Sequence, residues 1–222
     1  FKNYDLAELA ACIDWGPFFQ TWDLAGPYPA ILQDDVVGEQ ARRVLADGKA
    51  MLQKIIEGRW LTASGVMGLY PAAQVSDDDI EIYADETRHQ VLMTWRGLRM
   101  QSERPVVDGV RRPNRCLADF IAPPNIAPDY IGMFAVTAGL GCDKKVAQFE
   151  AALDDYSAIM FKSLADRLAE AFAESLHQRV RREFWGFAAD EQLSNAELIA
   201  EKYRGIRPAP GYPACPEHSV KR

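Results

Sequence analysis

Four prolines, Pro208, Pro210, Pro213 and Pro216, fall within the segment Arg207-Pro208-Ala209-Pro210-Gly211-Tyr212-Pro213-Ala214-Cys215-Pro216-Glu217-His218. Each ring fixes φ and removes a backbone donor, so the run can be neither a helix interior nor a central strand. The sequence predicts a stiff, extended loop. Such a loop presents the Arg207 guanidinium, the Ala209 backbone and the Tyr212 hydroxyl in a preset geometry. Preset polar groups suit a small polar ligand, because little ordering entropy is left to lose on binding. A proline-rich linker is the competing reading, and the density of aromatic, Cys and charged residues weighs against it.

The remaining bounds come from bulk composition. The 222 residues are 48% hydrophobic and 26% charged, enough apolar mass for a core, and one domain over 1–222 is expected. The formal net charge of −7 speaks against nucleic acid, whose phosphates require a basic footprint. Nothing approaches the roughly eighteen consecutive apolar residues of a membrane span. The start at Phe1-Lys2-Asn3-Tyr4 lacks the basic and apolar parts of a signal peptide and lacks Met, which suggests a fragment or a processed chain. Cys12, Cys116, Cys142 and Cys215 show no C-x-x-C spacing, so reduced thiols in a cytoplasmic protein are expected.

Hydrophobic spacing then orders the chain. Residues 1–13 read as a short helix ended by Asp14-Trp15-Gly16-Pro17, with an aromatic loop, Phe18 to Trp22, after it. Residues 36–57 follow the 3.6 period and stop near Gly58. Strands are expected at Val66–Tyr70 (stopping at Pro71), Asp79–Tyr83, Val91–Trp95, Leu117–Ala122 and Tyr130–Thr137, with a polar loop at 102–115. Short connections favour antiparallel pairing. Residues 143–185 read as helical, with a stripe at Met160, Leu164, Leu168, Phe172, Leu176 and Val180 that implies core packing. Ser194-Asn195-Ala196-Glu197 is a capping box opening a last helix through Tyr203. The fold class is therefore α+β: a twisted antiparallel sheet of about five strands flanked by long helices.

Motif chemistry is mostly negative. There is no G-x-G-x-x-G after a strand, no phosphate loop, no nucleophile elbow and no H-E-x-x-H, and His89, His177 and His218 are scattered. No catalytic residue and no metal site is predicted. Among the carboxylates, Glu170 lies about 200° around its helix from Leu168 and reads by itself as a surface residue. Glu201, near a helix C-terminus, opposes the helix dipole, a mild mismatch compatible with function. Asp14 reads equally as a turn-stabilising residue or a ligand contact.

Several runs carry a resemblance. They are Ile13 through Trp22, Asp78-Asp79-Ile80-Glu81-Ile82-Tyr83, Cys116-Leu117-Ala118-Asp119-Phe120, Asp129 through Thr137, Leu164-Ala165-Asp166-Arg167-Leu168-Ala169-Glu170-Ala171, and Gly205 through His218. In this order, along nearly the whole chain, they resemble the C-terminal activation domain of cobalamin-dependent methionine synthase. Only the 102–115 loop and the last four residues match poorly.

The resemblance implies a methyltransferase domain, not active alone, that binds S-adenosylmethionine. It implies support for reductive methylation of cob(II)alamin in an enzyme that moves a methyl from methyltetrahydrofolate to homocysteine. Cobalamin would be held by a separate domain, and the electron would come from flavodoxin or a flavoprotein reductase. Carried over residue by residue, Arg207 grips the donor through its carboxylate, Ala209 offers a backbone contact and Tyr212 a hydroxyl. Asp14 hydrogen-bonds the donor, and Glu170 and Glu201 lie near the sulfonium. The family's domain begins before Phe1 and continues past Cys-Pro-Glu-His, so truncation at both ends is expected. The alternative is an interaction module that docks a flavodoxin-like reductant or the cobalamin domain with weak or no donor binding. Its basic docking face would draw on Arg111, Arg112 and Arg115, or on Arg179, Arg181 and Arg182.

Overall fold

A short strand, then helices, then strands, then helices is the order observed in the computed structural model of the protein, which describes residues 1–103, 106, 107, 109–216 and 218. The elements are β1 (Lys2–Tyr4), α1 (Leu6–Ala10), α2 (Gly16–Gln20), α3 (Gly38–Gly58), β2 (Thr62–Gln74), β3 (Asp79–Tyr83) and β4 (Val91–Arg96). There follow β5 (Val106–Val107), β6 (Val110–Arg111), β7 (Asp129–Leu140), α4 (Cys142–Ala151), α5 (Asp155–Arg179) and α6 (Asn195–Ile199). The main sheet has five strands in the order β1-β2-β3-β4, with β7 also paired to β2. The β1–β2, β2–β3 and β3–β4 pairs are antiparallel. The α+β class and the five-strand sheet are as expected.

The chain forms two compact units, one of Phe1–Val66 with Phe134–Tyr203, the other of Met67–Met133 with Arg204–Arg222. In the first unit the α5 stripe is the spine of the core. Met160, Leu164, Leu168, Phe172 and Leu176 are each at most 1% exposed. Burying such a side chain is worth about 1.5–3 kcal/mol, so this face alone anchors the helix. Tyr4 packs on Phe172 with ring centroids 4.6 Å apart. Gly48 on α3 admits Phe18, since a Cβ there would come within 2.7 Å of the ring.

In the second unit Ile80 and Ile82 are buried and alternate with the half-buried Asp79 and Glu81, the pattern of a half-buried strand. They pack with Ala72, Cys116, Ala118, Ile121 and Ile131. Arg99 binds both carboxylate oxygens of Asp119 at 2.7 Å and Asp78 Oδ1 at 2.9 Å. Arg88 donates to the carbonyls of Ala72 at 2.9 Å and Asp129 at 2.7 Å, joining β2 to β7.

Several expectations are corrected. Residues 1–13 are not one helix. Lys2–Tyr4 is a strand on β2, with Phe1 and Gly65 exchanging backbone hydrogen bonds, and α1 starts only after Asp5, whose side chain accepts from Ala7 N at 2.8 Å. The aromatic loop is partly helical: α2 begins at Gly16-Pro17, with proline at the first turn where its missing donor is harmless. β2 runs through Pro71, which immediately precedes the first residue paired to β3, Ala72. Leu117–Phe120 is a 3-10 turn rather than a strand, because Asp119 Oδ2 takes the Cys116 amide at 2.9 Å while Arg99 holds the carboxylate. The fifth strand is β1. The 102–115 loop carries the small β5–β6 ladder.

The 143–185 helix is broken. Leu153 turns left-handed at φ 57°, and Asp154 caps α5 by accepting from Ser157 N at 3.0 Å. After Arg179 the helix widens into a π turn, Val180–Phe184. The capping box at Ser194 and Glu197 forms, but α6 ends at Ile199 instead of Tyr203.

Candidate functional site

The proline-rich segment is folded, not extended throughout. Tyr212 N donates to Ala209 O at 3.0 Å, which closes a turn with Pro210 and Gly211 at its centre. Gly211 at φ 101° is the left-handed third residue that a type II turn requires. A second turn follows at once, with Cys215 N donating to Tyr212 O at 2.9 Å around Pro213-Ala214. Gly211 N then donates to Cys215 O at 2.8 Å, so the two turns lock each other. Pro210 and Pro213 each stand at the second position of a turn, where φ near −65° is demanded, and they create compactness where stiffness alone was expected. Tyr212 is 61% exposed, Ala209 is exposed and Arg207 is half-buried, while Cys215 is buried. Glu217 lies outside the described residues.

Of the six candidate residues, Arg207, Ala209 and Tyr212 lie in this segment of the second unit. Asp14, Glu170 and Glu201 lie in the first. Asp14 is half-buried and accepts from Gly16 N at 2.8 Å, a turn that opens α2. Asn195, the first residue of α6, donates to Ile13 O at 3.4 Å, so the structure brings the Asp14 turn and α6 together. Glu170 sits on the exposed face of α5.

Glu201 has an unexpected setting. It lies beyond the end of α6, at φ 53°. Its N–H donates to Leu198 O at 2.9 Å, and Lys202 N donates to Glu197 O at 3.0 Å. These two bonds are the Schellman motif, whose left-handed position normally belongs to glycine. A glutamate here costs roughly 1–2 kcal/mol relative to an unstrained backbone, and its side chain is exposed, so packing does not offset that strain.

One cluster in the first unit escaped the sequence reading. Arg181, placed above among the surface arginines, is fully buried and cannot join a basic docking face. Its Nη2 and Nε bind Glu191 Oε1 at 2.6 Å and Oε2 at 3.0 Å. Arginine has no acceptor, so His177 Nδ1 accepts from Nη1 at 2.6 Å. The guanidinium also lies 4.2 Å from the Tyr203 ring centre, and His177 meets that ring edge-on at 4.9 Å. Glu174, 7% exposed, lies on the same stripe. The signal was the spacing Glu174-x-x-His177-x-x-x-Arg181, one helix face beside the apolar stripe. Arg179 is likewise committed, to Glu183 at 2.9 Å, whereas Arg111, Arg112 and Arg115 are exposed.

Burial first, then the Glu174 and Glu8 carboxylates, push the Cys12 thiol up. Among the described residues no group of three His, Cys, Asp or Glu side chains could hold a metal, and no helix is long and apolar enough to cross a membrane.

The candidate set is thus a guanidinium, a hydroxyl and a rigid turn in one unit, and three carboxylates in the other. The first suits a carboxylate-bearing ligand and the second a cation. Comparison with known proteins gives the chain's family and fold. The family profile described as vitamin B12 dependent methionine synthase, activation domain, matches residues 5–222. A crystal structure of the MetH reactivation domain bound to AdoHcy superposes with a TM-score of 0.90 at 54% sequence identity. The match covers 100% of this chain and 66% of that one.

Proposed function

This chain belongs to the family of activation domains of vitamin B12-dependent methionine synthase, and we propose that it binds S-adenosylmethionine as a methyl donor for reactivation of that enzyme. The observation that carries the reading is the AdoHcy held by the reactivation domain most of whose fold this chain reproduces. AdoHcy is what remains of S-adenosylmethionine once its methyl has left.

In this reading Arg207 takes the ligand carboxylate with its planar fork of donors. Ala209 contributes a backbone contact and Tyr212 its hydroxyl. Asp14 accepts a hydrogen bond from the ligand, and Glu170 and Glu201 supply negative charge to the sulfonium. The exposed, strained Glu201 fits this role, since strain is kept where the side chain has work that a glycine could not do. The chain contributes binding and orientation, and no side chain acts as nucleophile or base.

In the full enzyme, cobalamin on a separate domain would supply the methyl acceptor and a flavodoxin or flavoprotein reductase the electron that readies it, while the residues of this chain would hold the methyl donor. The full protein would be a cytoplasmic methyltransferase of methionine biosynthesis, moving methyl from methyltetrahydrofolate to homocysteine.

A second reading, a docking module for the cobalamin domain or the reductant, draws on the outer strand β4, where Val91, Leu92 and Met93 are 43%, 54% and 46% exposed. Titration calorimetry with S-adenosylmethionine separates the two. The first reading expects a saturable one-site isotherm. A flat titration from protein that still binds its partners leaves the docking module.

A further inference from the structure

Arg181 is the most heavily buried charge among the described residues, and none of the donor contacts proposed above uses it. Its setting is specific. Arg181 lies in the π turn after α5, and such turns are frequent at functional sites. Arg181 ties three points of the segment that follows: its start, through the backbone carbonyl accepting from Ala188 N at 2.9 Å; its middle, through the guanidinium on Glu191; and its end, through the guanidinium on the Tyr203 ring. Desolvating two charges consumes about what their attraction returns. A buried pair of this kind therefore fixes geometry more than it adds stability.

What it fixes is the span that carries Glu201. On the N-terminal side of Glu201 the anchor is Leu198, 4% exposed, at the end of α6. On the C-terminal side it is Tyr203, two residues on, held by Arg181 and His177. A left-handed glutamate persists only when its surroundings over-determine the backbone, and these two anchors do so.

We propose that Arg181 is a positioning residue for the methyl-donor site: by holding Glu191 and Tyr203 it sets the Glu201 carboxylate for the donor's sulfonium cation. The inference rests on the donor-binding reading above. It differs from a plain stability role in one respect. A carboxylate placed for a cation matters to S-adenosylmethionine and hardly at all to S-adenosylhomocysteine, whose sulfur is neutral. The cluster therefore sets the ratio of the two affinities.

The test is titration calorimetry of both ligands with the protein carrying this chain, as wild type, Tyr203→Leu and Tyr203→Phe. Tyr203→Leu removes the ring that the guanidinium faces. It is expected to weaken S-adenosylmethionine about tenfold and to leave S-adenosylhomocysteine within about twofold. Tyr203→Phe keeps a ring for the cation and is expected to recover most of the ratio. Glu191→Gln is the second variant, used if Tyr203→Leu does not fold, with the same expected loss in the ratio. Parallel loss of both ligands, or an unchanged ratio in a folded variant, overturns the proposal while leaving donor binding intact. A wild-type protein that binds neither ligand overturns the donor-binding reading, and this inference with it.

Discussion

The amide of Glu201 donates to the carbonyl of Leu198 at 2.9 Å with Glu201 held at φ 53°, in the helix-ending position that glycine ordinarily fills. Glu201→Gly should therefore relieve strain. It is expected to stabilise the protein by about 1 kcal/mol, raising the melting temperature by roughly 2–4 °C. The same change should weaken S-adenosylmethionine by about tenfold. Melting and titration on one preparation check both. Stability and affinity moving in the same direction would show that the side chain serves the fold.

Arg207 is assigned to the ligand carboxylate. Arg207→Ala should cost about 1.5–3 kcal/mol of binding, roughly ten- to a hundredfold. Arg207→Lys should recover only part, because a point charge cannot make the paired contact of a planar fork. Decarboxylated S-adenosylmethionine supplies the control. Toward that ligand wild type and Arg207→Ala should bind alike, and a persistent difference would place Arg207 elsewhere on the ligand.

Gly211 sits at φ 101°, and a Cβ there would come within 2.6 Å of His218 Nε2. Gly211→Ala is expected to open the turn that closes on Ala209. Amide exchange reads this locally. Protection of the Tyr212 amide should fall, and S-adenosylmethionine affinity should fall several-fold, roughly 1 kcal/mol for a strained non-glycine residue. Retained Tyr212 protection would mean that the turn tolerates the side chain.

Acid and alkali should act at different places. The Arg99 guanidinium, then the Cys116 amide, hold the Asp119 carboxyl below its ordinary range. A depressed carboxylate contributes stability above the unfolded value of about 3.9, and that contribution is lost as pH falls through the folded value. Asp119→Asn should flatten the acid limb of melting temperature against pH. Burial, then the bond to Asp47, push the Tyr156 phenol up to about 12. Its stabilisation is complete below the unfolded phenol's value of about 10 and is lost as pH rises toward the folded one. Tyr156→Phe should remove that alkaline loss, and an unchanged alkaline limb would contradict the assignment.

The sequence was readable wherever a local pattern decides the outcome. Alternation located β3 at Asp79–Tyr83, and the four-residue spacing from Met160 to Val180 located the core face of α5. Ser194 and Glu197 announced α6. It misled where distant partners decide. Lys2–Tyr4 is a strand only because β2 pairs with it. Leu117–Phe120 turns because Arg99, far off in sequence, holds Asp119. The proposed site residues come from the proline loop and the family resemblance, and the sequence alone left Asp14, Glu170 and Glu201 open to ordinary turn or surface roles. The Arg181 cluster was hidden because polar residues on a helix ordinarily face solvent, and Glu201's backbone because six-to-one closure of a helix end leaves no mark when glycine is absent.

The most direct test of the account is a crystal structure of the protein with S-adenosylmethionine bound. The account predicts the ligand carboxylate on the Arg207 guanidinium, Tyr212 and Ala209 in contact with it, and carboxylate oxygens of Glu170 or Glu201 within about 4–6 Å of the sulfonium. A ligand seated away from Arg207, with neither carboxylate within that range, would contradict it.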